Sequence, residues 1–357
     1  MPSERALSMR VVPGSAVPRR TAKAAVAVAL LATTLASCAE EPNASDKSDE
    51  GGTTSLTLGL TYIPNIQFAP FYVAEEKGYY KDAGLDVTLH HHSASEDLFG
   101  GLKAGKEDLL IAGGDEIVQG RAGDIPVVNV MTLYKNYPVA LLVRDDSAIN
   151  DAAGLKGKTI GVPGPYGETY FGLLALLAEG GLTTDDVNVK SIGYTQQAAL
   201  TAKRVDGVMG FVNNDQVQFE QAGLDVRAVR LAEGTDGAPL ISSGIGTSDS
   251  FLKKRPDDVR KFVAATLRGV EFTLANPEEA IELSRAHIPT LKDAKSEASA
   301  LAVLKASAPL IRGTGGRLGE SDPRTWSRMA DFMKEKGLIK KEIPADQAYT
   351  NDYLPKE

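Results

Sequence analysis

The chain has 357 residues, of which 43% are hydrophobic and 24% are charged, and its net charge is −8. This length suits about two globular domains, and the hydrophobic content excludes a largely disordered chain. An acidic chain lacks the clustered basic surface that nucleic acid requires, so we expect no nucleic-acid partner. Beyond the N-terminus, no apolar run is long enough for a membrane span.

The first 37 residues have the pattern of an export signal. A basic cluster at 19–23 precedes an apolar run at 24–35, and small residues then lead to Cys38. This order resembles a bacterial lipoprotein signal, cleaved before Cys38 and lipid-modified on its sulfur. A plain cleaved signal or a short membrane anchor is the alternative. The arginine pair within the basic cluster is also compatible with twin-arginine export.

Cys38 is the only cysteine in the sequence. An exported chain with one thiol cannot form an internal disulfide, and it has neither a second thiol for catalysis nor a thiolate metal site. Residues 38–54 are rich in Glu, Asp, Ser and Gly and predict a flexible tether. We therefore expect a signal peptide at 1–37, a tether at 38–54 and a folded protein after it.

The folded part begins with a short apolar strand that runs into the turn 62–68, YIPNIQF. Pro64 keeps the residue before it extended. Asn65 and Gln67 precede a predicted helix, where amide side chains either cap the helix or point into a cleft. A few polar groups among aromatic rings are typical of a small-molecule pocket, and the alternative is a capped turn with core aromatics. The candidate ligand-binding residues here are Tyr62, Asn65, Gln67 and Phe68.

Apolar runs and helical patterns then alternate along the chain. Strands are predicted at 56–61, 86–90, 109–112, 125–133, 138–144, 159–163, 187–193, 205–212, 225–231 and 240–247. This alternation predicts an α/β fold with largely parallel sheets. The sequence AGLDV occurs at 83–87 and again at 222–226. Each copy has Gly where a helix ends and a strand begins, so we expect the same corner once in each of two lobes.

After residue 248 the pattern is helical, with helices predicted at 256–274, from Pro277, at 292–308 and at 323–336. The strands at 138–144 and 240–247 bracket the second α/β set, so they are candidates for the two crossings between lobes. We place the first lobe at 55–142 and 243–357, and the second at 143–242. Two crossings make a hinge, with a cleft that closes around a ligand.

Three further polar segments follow predicted strands, at the carboxyl ends where α/β proteins bind ligands. The first segment, residues 113–116, offers carboxylates as acceptors for amino or imide groups. The second, residues 163–169, is a glycine-rich turn whose N–H groups suit an anionic or carbonyl oxygen, and it has no dinucleotide or P-loop pattern. The third, residues 211–215, offers two amide side chains. Helix capping or a tight turn is the alternative for each. The candidates are Asp115, Glu116, Tyr166, Gly167, Thr169, Asn213 and Asn214, with Tyr134, Tyr137 and Tyr194 as weaker ones that suit core or hinge packing.

Three consecutive histidines, 90–92, invite a metal interpretation. Side chains alternate faces along a strand, so only His90 and His92 can share one face. Cysteine ligands are lacking and His287 is the only other histidine. We therefore interpret the run as a solvated strand end and predict no metal site. Because no cofactor motif and no nucleophile–base pair stands out, we also predict no cofactor and no enzymatic activity.

Four parts of the sequence together resemble the solute-binding lipoproteins of ABC importers, in the family that takes in thiamine-pyrimidine precursors, riboflavin and aliphatic sulfonates. They are YIPN at 62–65 with YVA at 72–74, KGYY at 77–80 with GLDV at 84–87, LKGKTIGVP at 155–163, and the segment 248–257. The resemblance implies a periplasmic-binding-protein-like fold of type II, with two α/β lobes, two crossing strands and the ligand between the lobes. It also implies a permease and an ATPase as partners. We expect a monomer, lipid-anchored on the extracytoplasmic face of the cell membrane.

The ligand implied is an aromatic nitrogen heterocycle, because rings stack on Tyr and Phe while amides recognise heteroatoms. The apolar stretch IQFAP at 66–70 resembles riboflavin binders more than pyrimidine-precursor binders, and a sulfonate fits it poorly. Three alternatives remain open. They are a pyrimidine-precursor synthase on the same fold, a sulfonate binder, and a structural or adhesion lipoprotein.

Overall fold

The structure, a computed structural model, describes residues 53–93, 95–232, 239–313 and 315–356. The predicted signal peptide, Cys38 and the tether up to residue 52 lie outside the described residues. The polar segment 233–238 also lies outside them. Within the described ranges, none of the helices combines the length and the apolar character needed to cross a membrane.

The strands of the described chain correspond one to one with the predicted ones, because most of them are apolar runs bounded by Gly, Pro or polar residues. They are β1 Thr54–Leu60, β2 Leu85–His91, β3 Leu109–Gly113, β4 Val127–Thr132, β5 Val139–Arg144, β6 Thr159–Val162, β7 Asn188–Ser191, β8 Gly207–Phe211, β9 Val226–Arg230 and β10 Ser243–Ser248.

These strands form two five-stranded sheets, in the orders β2-β1-β3-β10-β4 and β7-β6-β8-β5-β9. In the first sheet β1 runs parallel to β2 and β3, and in the second β6 runs parallel to β7 and β8. Strand β10 is antiparallel to both of its neighbours, and so is β5. Each largely parallel sheet therefore contains one reversed strand, which is the strand that enters it from the other lobe.

The passages between the sheets are residues 133–138 and 231–242, of which 233–238 are not described. Strand β5 pairs with β8 and β9 along its length, so residues 139–142 belong to the second sheet. The boundary predicted at 142/143 therefore falls inside a strand, because an apolar run does not reveal which sheet will accept it. The boundary predicted at 242/243 coincides with the start of β10.

The helices cover both sheets. They are α1 Ala69–Glu76, α2 Tyr79–Asp82, α3 Gly100–Lys103, α4 Gly114–Ala122, α5 Gly167–Glu179, α6 Gln196–Thr201, α7 Val217–Gln221, α8 Asp249–Lys254, α9 Pro256–Ala275, α10 Pro277–Ser284, α11 Ala294–Arg312, α12 Pro323–Glu335 and α13 Ala345–Ala348. A 3-10 turn at Ile66–Phe68 precedes α1, and a π-helical turn at Val212–Gln216 precedes α7. The predicted helices after residue 248 are all present, and α10 starts at Pro277 as expected.

The repeated corner is present in both lobes. Gly84 follows α2 with a φ of +74°, and Gly223 follows α7 with a φ of +77°. Only glycine adopts this left-handed conformation without strain, so each helix ends and turns into its strand at this point.

Close packing of α9 against α1 fixes the position of the turn 62–68. A Cβ atom on Gly269 of α9 would lie 2.1 Å from the Pro70 carbonyl oxygen, so the two helices touch at backbone distance. Beside this contact, the Tyr80 ring stacks on Phe262 at 5.3 Å between centroids. A residue larger than glycine at 269 would push α1 away, together with the aromatic turn that leads into it.

Candidate functional site: the interlobe cavity

A cavity of about 680 Å³ lies between the two lobes. This volume falls within the roughly 300–1,000 Å³ that small-molecule sites usually have. Both lobes supply its walls, from the ends of strands and the turns that follow them. The first lobe contributes Tyr62, Gln67, Phe68, Glu116, Tyr134 and Ser243, and the second contributes Tyr166, Gly167, Glu168, Thr169, Tyr194, Gln196, Phe211, Asn214 and Asp215.

Aromatic rings from both lobes line this cavity, and two of them are in contact. Tyr62 of the first lobe meets Tyr194 of the second edge to face, with 4.4 Å between ring centroids. Burial raises the pKa of Tyr194 to about 12, and burial also raises that of Tyr62, so both hydroxyls stay protonated and able to donate. Phe68 and Phe211 add further ring surface from either side. A flat ring system between the lobes would therefore contact both of them.

Several polar groups of the wall are acidic. Glu116, Glu168 and Asp215 all line the cavity, while none of the lining residues in the described chain is a lysine or an arginine. Carboxyl oxygens accept hydrogen bonds from imide, amino and hydroxyl groups. An anionic ligand would find no lysine or arginine in this wall to balance its charge, which is unfavourable in a partly buried site.

Two of these carboxyl groups belong to an acidic cluster in which the lobes touch. Glu168, in the first turn of α5, accepts hydrogen bonds at 2.5 Å from the hydroxyls of Ser242, at the end of the passage between the sheets, and of Ser243, the first residue of β10 in the first lobe. Glu116, in the first turn of α4, accepts one from the Gly113 N–H at 2.7 Å. The Asp115 carboxyl lies behind them, with Oδ2 3.0 Å from the Tyr137 hydroxyl.

Burial is the main reason why the acidic cluster holds protons at neutral pH. It raises the pKa of Glu116 to about 8, with the charge of Glu168 adding to the effect. It raises the pKa of Glu168 to about 7 against the opposing hydrogen bonds from the two serines. Burial, reinforced by the charges of Glu168 and Glu116, also raises the pKa of Asp115 well above its usual range. Like charges brought together in a dry interface are costly, so protonation favours contact between the lobes here.

Neutral amides form a second contact between the lobes. Asn65 Nδ2 donates to Asn214 Oδ1 at 3.3 Å. The side-chain nitrogen of Asn213 donates to the Ser307 hydroxyl of α11 at 2.8 Å, and it also lies 3.3 Å from the Tyr134 hydroxyl. These groups come from the π-helical turn of the second lobe and from three separate parts of the first.

The structure places most of the predicted site residues on the cavity wall, namely Tyr62, Gln67, Phe68, Glu116, Tyr166, Gly167, Thr169 and Asn214. Three others lie elsewhere. Asn65 caps the 3-10 turn by accepting from the Gln67 N–H at 2.9 Å, Asp115 is fully buried behind Glu116, and Asn213 is buried between the lobes. The sequence alone does not distinguish a wall residue from one just behind the wall.

Glu168 and Asp215 are among the carboxyl groups of the wall that sequence reasoning missed, together with Glu96 and Asp97. The first two are buried at the start of helical segments. Glu168 and Asp215 directly follow or precede predicted site residues in the sequence, and both lie in the first turn of a helical segment. An acid in a first turn is ordinarily a surface group that favours the helix dipole. Here it is buried, since the helix start faces the other lobe. Tyr194, a weaker candidate, also lines the cavity.

The histidine run is not a solvated strand end throughout. His92 is buried, with 4% of its surface exposed, and it also lines the cavity, while the His90 side chain is 48% exposed. The difference arises because Glu107, which precedes β3, lies under the end of β2 and bonds both rings.

This architecture defines a solute-binding protein of the periplasmic-binding-protein fold, with two α/β lobes and a cavity between them. Comparison with known proteins gives the family. Residues 65–280 match the NMT1/THI5-like family, and the chain belongs to it. The fold is shared with the alkanesulfonate-binding protein SsuA of Xanthomonas axonopodis pv. citri, solved bound to MOPS. It superposes with a TM-score of 0.66 at 16% identity, over 84% of this chain and 99% of that one.

Two relatives show the kind of protein that this sequence is similar to. The riboflavin-binding protein RibY of Chloroflexus aurantiacus is 36% identical over 307 residues, which cover 84% of this chain and 86% of RibY. The formylaminopyrimidine-binding protein of Halalkalibacterium halodurans is 22% identical, over 89% of this chain and 94% of that protein. The chain is a binding protein and not an enzyme, in agreement with the sequence-based prediction.

Proposed function

We propose that this chain is the substrate-binding lipoprotein of an ABC importer, and that it captures riboflavin between its lobes for delivery to a permease driven by an ATPase. The observation that supports this proposal is the composition of the cavity wall. It combines aromatic rings from both lobes with buried carboxyl groups, and its described residues include neither lysine nor arginine.

Each part of riboflavin has a matching group in such a wall. The three-ring isoalloxazine stacks on tyrosine and phenylalanine faces, its imide N–H donates to a carboxyl oxygen, and the ribityl hydroxyls pair with amides and acids. The similarity to RibY supports the same ligand. The acidic wall disfavours the sulfonate alternative, because a sulfonate remains anionic at every physiological pH.

Pyrimidine precursors of thiamine are the second candidate. A relative that binds formylaminopyrimidine supports them, and so do carboxyl groups able to accept from an aminopyrimidine. A single ring would fill less of a cavity of about 680 Å³ than a three-ring ligand does. Riboflavin is therefore our first choice.

Titration with matched ligands tests the proposal. Flavin fluorescence is quenched when the ring stacks on an aromatic side chain, so riboflavin titrated with protein should show saturable quenching. Flavin mononucleotide carries the same ring with a phosphate added, and we expect it to bind at least about tenfold more weakly because the wall is acidic. Formylaminopyrimidine and MOPS serve as competitors. No quenching by riboflavin, or displacement by MOPS at low concentration, would reject riboflavin as the ligand.

The anchor is proposed from the sequence pattern around Cys38. The lipid on Cys38 would hold the chain on the extracytoplasmic face of the membrane, near its permease. In the native host, Cys38→Ser should move the protein from the membrane fraction to the extracytoplasmic soluble fraction. Membrane retention of that variant would refute lipid attachment at this residue without affecting the ligand proposal.

A further inference from the structure

Two histidines and one glutamate converge at the end of strand β2. His90 and His92 point to the same side of the strand, and their ring centroids lie 5.2 Å apart. Glu107 reaches them from the turn before β3, with Oε1 2.7 Å from His90 Nδ1 and 2.6 Å from His92 Nε2. One nitrogen or oxygen atom from each of the three residues lies within 4.8 Å of the others.

The carboxylate of Glu107 is deeply buried, and its hydrogen bonds are made by only one of its two oxygens. Its side chain is only 1% exposed, and both imidazoles bond the same oxygen, Oε1. The other oxygen, Oε2, has no hydrogen-bond partner within the described part of the chain. Hydrogen bonding alone would spread two rings over two oxygens, since a carboxylate can accept on both. Three ligand atoms gathered at one point are instead what a bound cation requires.

The fold makes room for this carboxylate. A Cβ atom on Gly59 of β1 would lie 2.6 Å from Oε2, and one on Gly101 of α3 would lie 2.4 Å from it. Any larger residue at either position would displace Glu107. The acid is therefore built into the first sheet beneath the two imidazoles.

We propose that His90, His92 and Glu107 form a binding site for a divalent cation of the Zn²⁺ class at the edge of the interlobe cavity. Two imidazoles and one carboxylate are a common three-residue ligand set for zinc, which leaves a fourth position for water or another group. Zinc bonds to such ligands are about 2.0–2.2 Å long, and a tetrahedral arrangement then places neighbouring ligand atoms about 3.3 Å apart. The three ligand atoms would therefore move slightly apart when zinc binds. The half-exposed His90 ring has the freedom to make this adjustment.

A second carboxylate lies where an outer partner of a zinc ligand is commonly found. Glu96 Oε2 is 3.9 Å from His90 Nε2, the ring nitrogen that would remain after Nδ1 bound the ion. Outer carboxylates of this kind orient ligating histidines. His92 also lines the cavity, so a bound ion would lie beside the ligand site. The effect of zinc on ligand binding can therefore be measured directly.

The test uses the purified full chain without a polyhistidine tag, freed of metal by a chelator. We expect ZnCl₂ to bind with one-to-one stoichiometry in calorimetry and CoCl₂ to give a visible absorption band. Loss of one of the three ligands should weaken zinc binding by at least about 100-fold, since even outer partners are typically worth about 10- to 100-fold. The variants are His92→Gln, Glu107→Gln and His90→Gln, of which the last changes a half-exposed ring and should leave folding intact.

His91→Gln is the matched control. His91 stands between the two proposed ligands on the same strand, but its ring bonds the Tyr72 hydroxyl and the Tyr62 carbonyl oxygen instead. The His91→Gln variant should therefore bind zinc with the same affinity as the unaltered chain. The proposal fails if the unaltered chain shows no saturable zinc binding, if His90→Gln binds zinc equally well, or if His91→Gln loses binding to the same extent.

Discussion

The lobes meet in two places of opposite chemistry. In one, the acidic cluster of Asp115, Glu116 and Glu168 touches serine hydroxyls, and burial raises the pKa of every carboxyl. In the other, Asn65, Asn213 and Asn214 join the lobes through neutral amides. Only the first contact changes its charge near neutral pH. The comparison indicates that pH acts on lobe contact through the acidic cluster, while the amide contact holds the lobes at any pH.

The largest expected effect is on stability between pH 5 and pH 8. Glu116 and Glu168 have a pKa of about 8 and about 7 when folded, above the 4.5 of the free side chain, so the folded state binds more protons. Their contribution to stability is thus present at low pH and is lost as the pH rises through these values. We expect the free energy of unfolding to fall by on the order of 3 kcal/mol across this window, measured by urea denaturation.

Glu116→Gln isolates that effect. The amide keeps an acceptor for the Gly113 N–H but cannot ionise beside Glu168, Asp115 and Tyr137. It should be about 1–2 kcal/mol more stable than the unaltered chain at pH 8, nearly equal to it at pH 5, and show a flatter pH curve. The exposed Glu278 in α10 provides a control, since Glu278→Gln should leave the curve as it is. Parallel curves for Glu116→Gln and the unaltered chain would show that the cluster does not carry the pH dependence.

The amide contact should respond with a smaller cost that pH does not change. Asn213 is 1% exposed and bonds Ser307 at 2.8 Å. Asn213→Ala leaves that hydroxyl and a small cavity behind, so we expect a loss of about 2 kcal/mol at both pH 5 and pH 8. Asn188→Ala, which removes an exposed amide bonded to Thr159, should cost less than about 0.5 kcal/mol. A cost for Asn213→Ala that differs between the two pH values would break the distinction between the contacts.

Much of the fold could be predicted because its signals are local. Gly84 and Gly223 mark the corner between helix and strand, and Pro277 marks the start of a helix, each through its own backbone preference. The sheet to which β5 belongs could not be predicted in this way. Its apolar residues suit either sheet, and only pairing with β8 and β9 decides between them.

The site was less predictable, since it depends on burial that forms between distant segments. Tyr62 and Phe68 could be proposed because rings beside a turn suit a pocket. Glu107 could not, because it stands in the polar turn 105–108, GKED, which has the composition of a solvated loop. It is buried only because Gly59 and Gly101 leave space for its carboxylate. The sequence does not reveal this space, because Gly59 is distant from Glu107 along the chain.

The smallest expected effect concerns Asn65, which takes part in the amide contact and also caps the 3-10 turn. Asn65→Ala removes both the cap on the Gln67 N–H and the bond to Asn214, so it should cost about 1 kcal/mol in stability. We also expect riboflavin to bind a few-fold more weakly, because one of the bonds that hold the lobes together is lost. Fluorescence titration and urea denaturation measure the two effects separately.

Asn65→Ser separates the two roles of this residue. Serine is about as good a cap as asparagine, but its side chain is too short to reach Asn214. The serine variant should therefore keep most of the stability that alanine loses, while its riboflavin affinity falls as in the alanine variant. If the serine variant binds riboflavin like the unaltered chain, the amide contact stabilises the turn alone and adds nothing to ligand capture. The acidic cluster would then be the contact between lobes that affects binding.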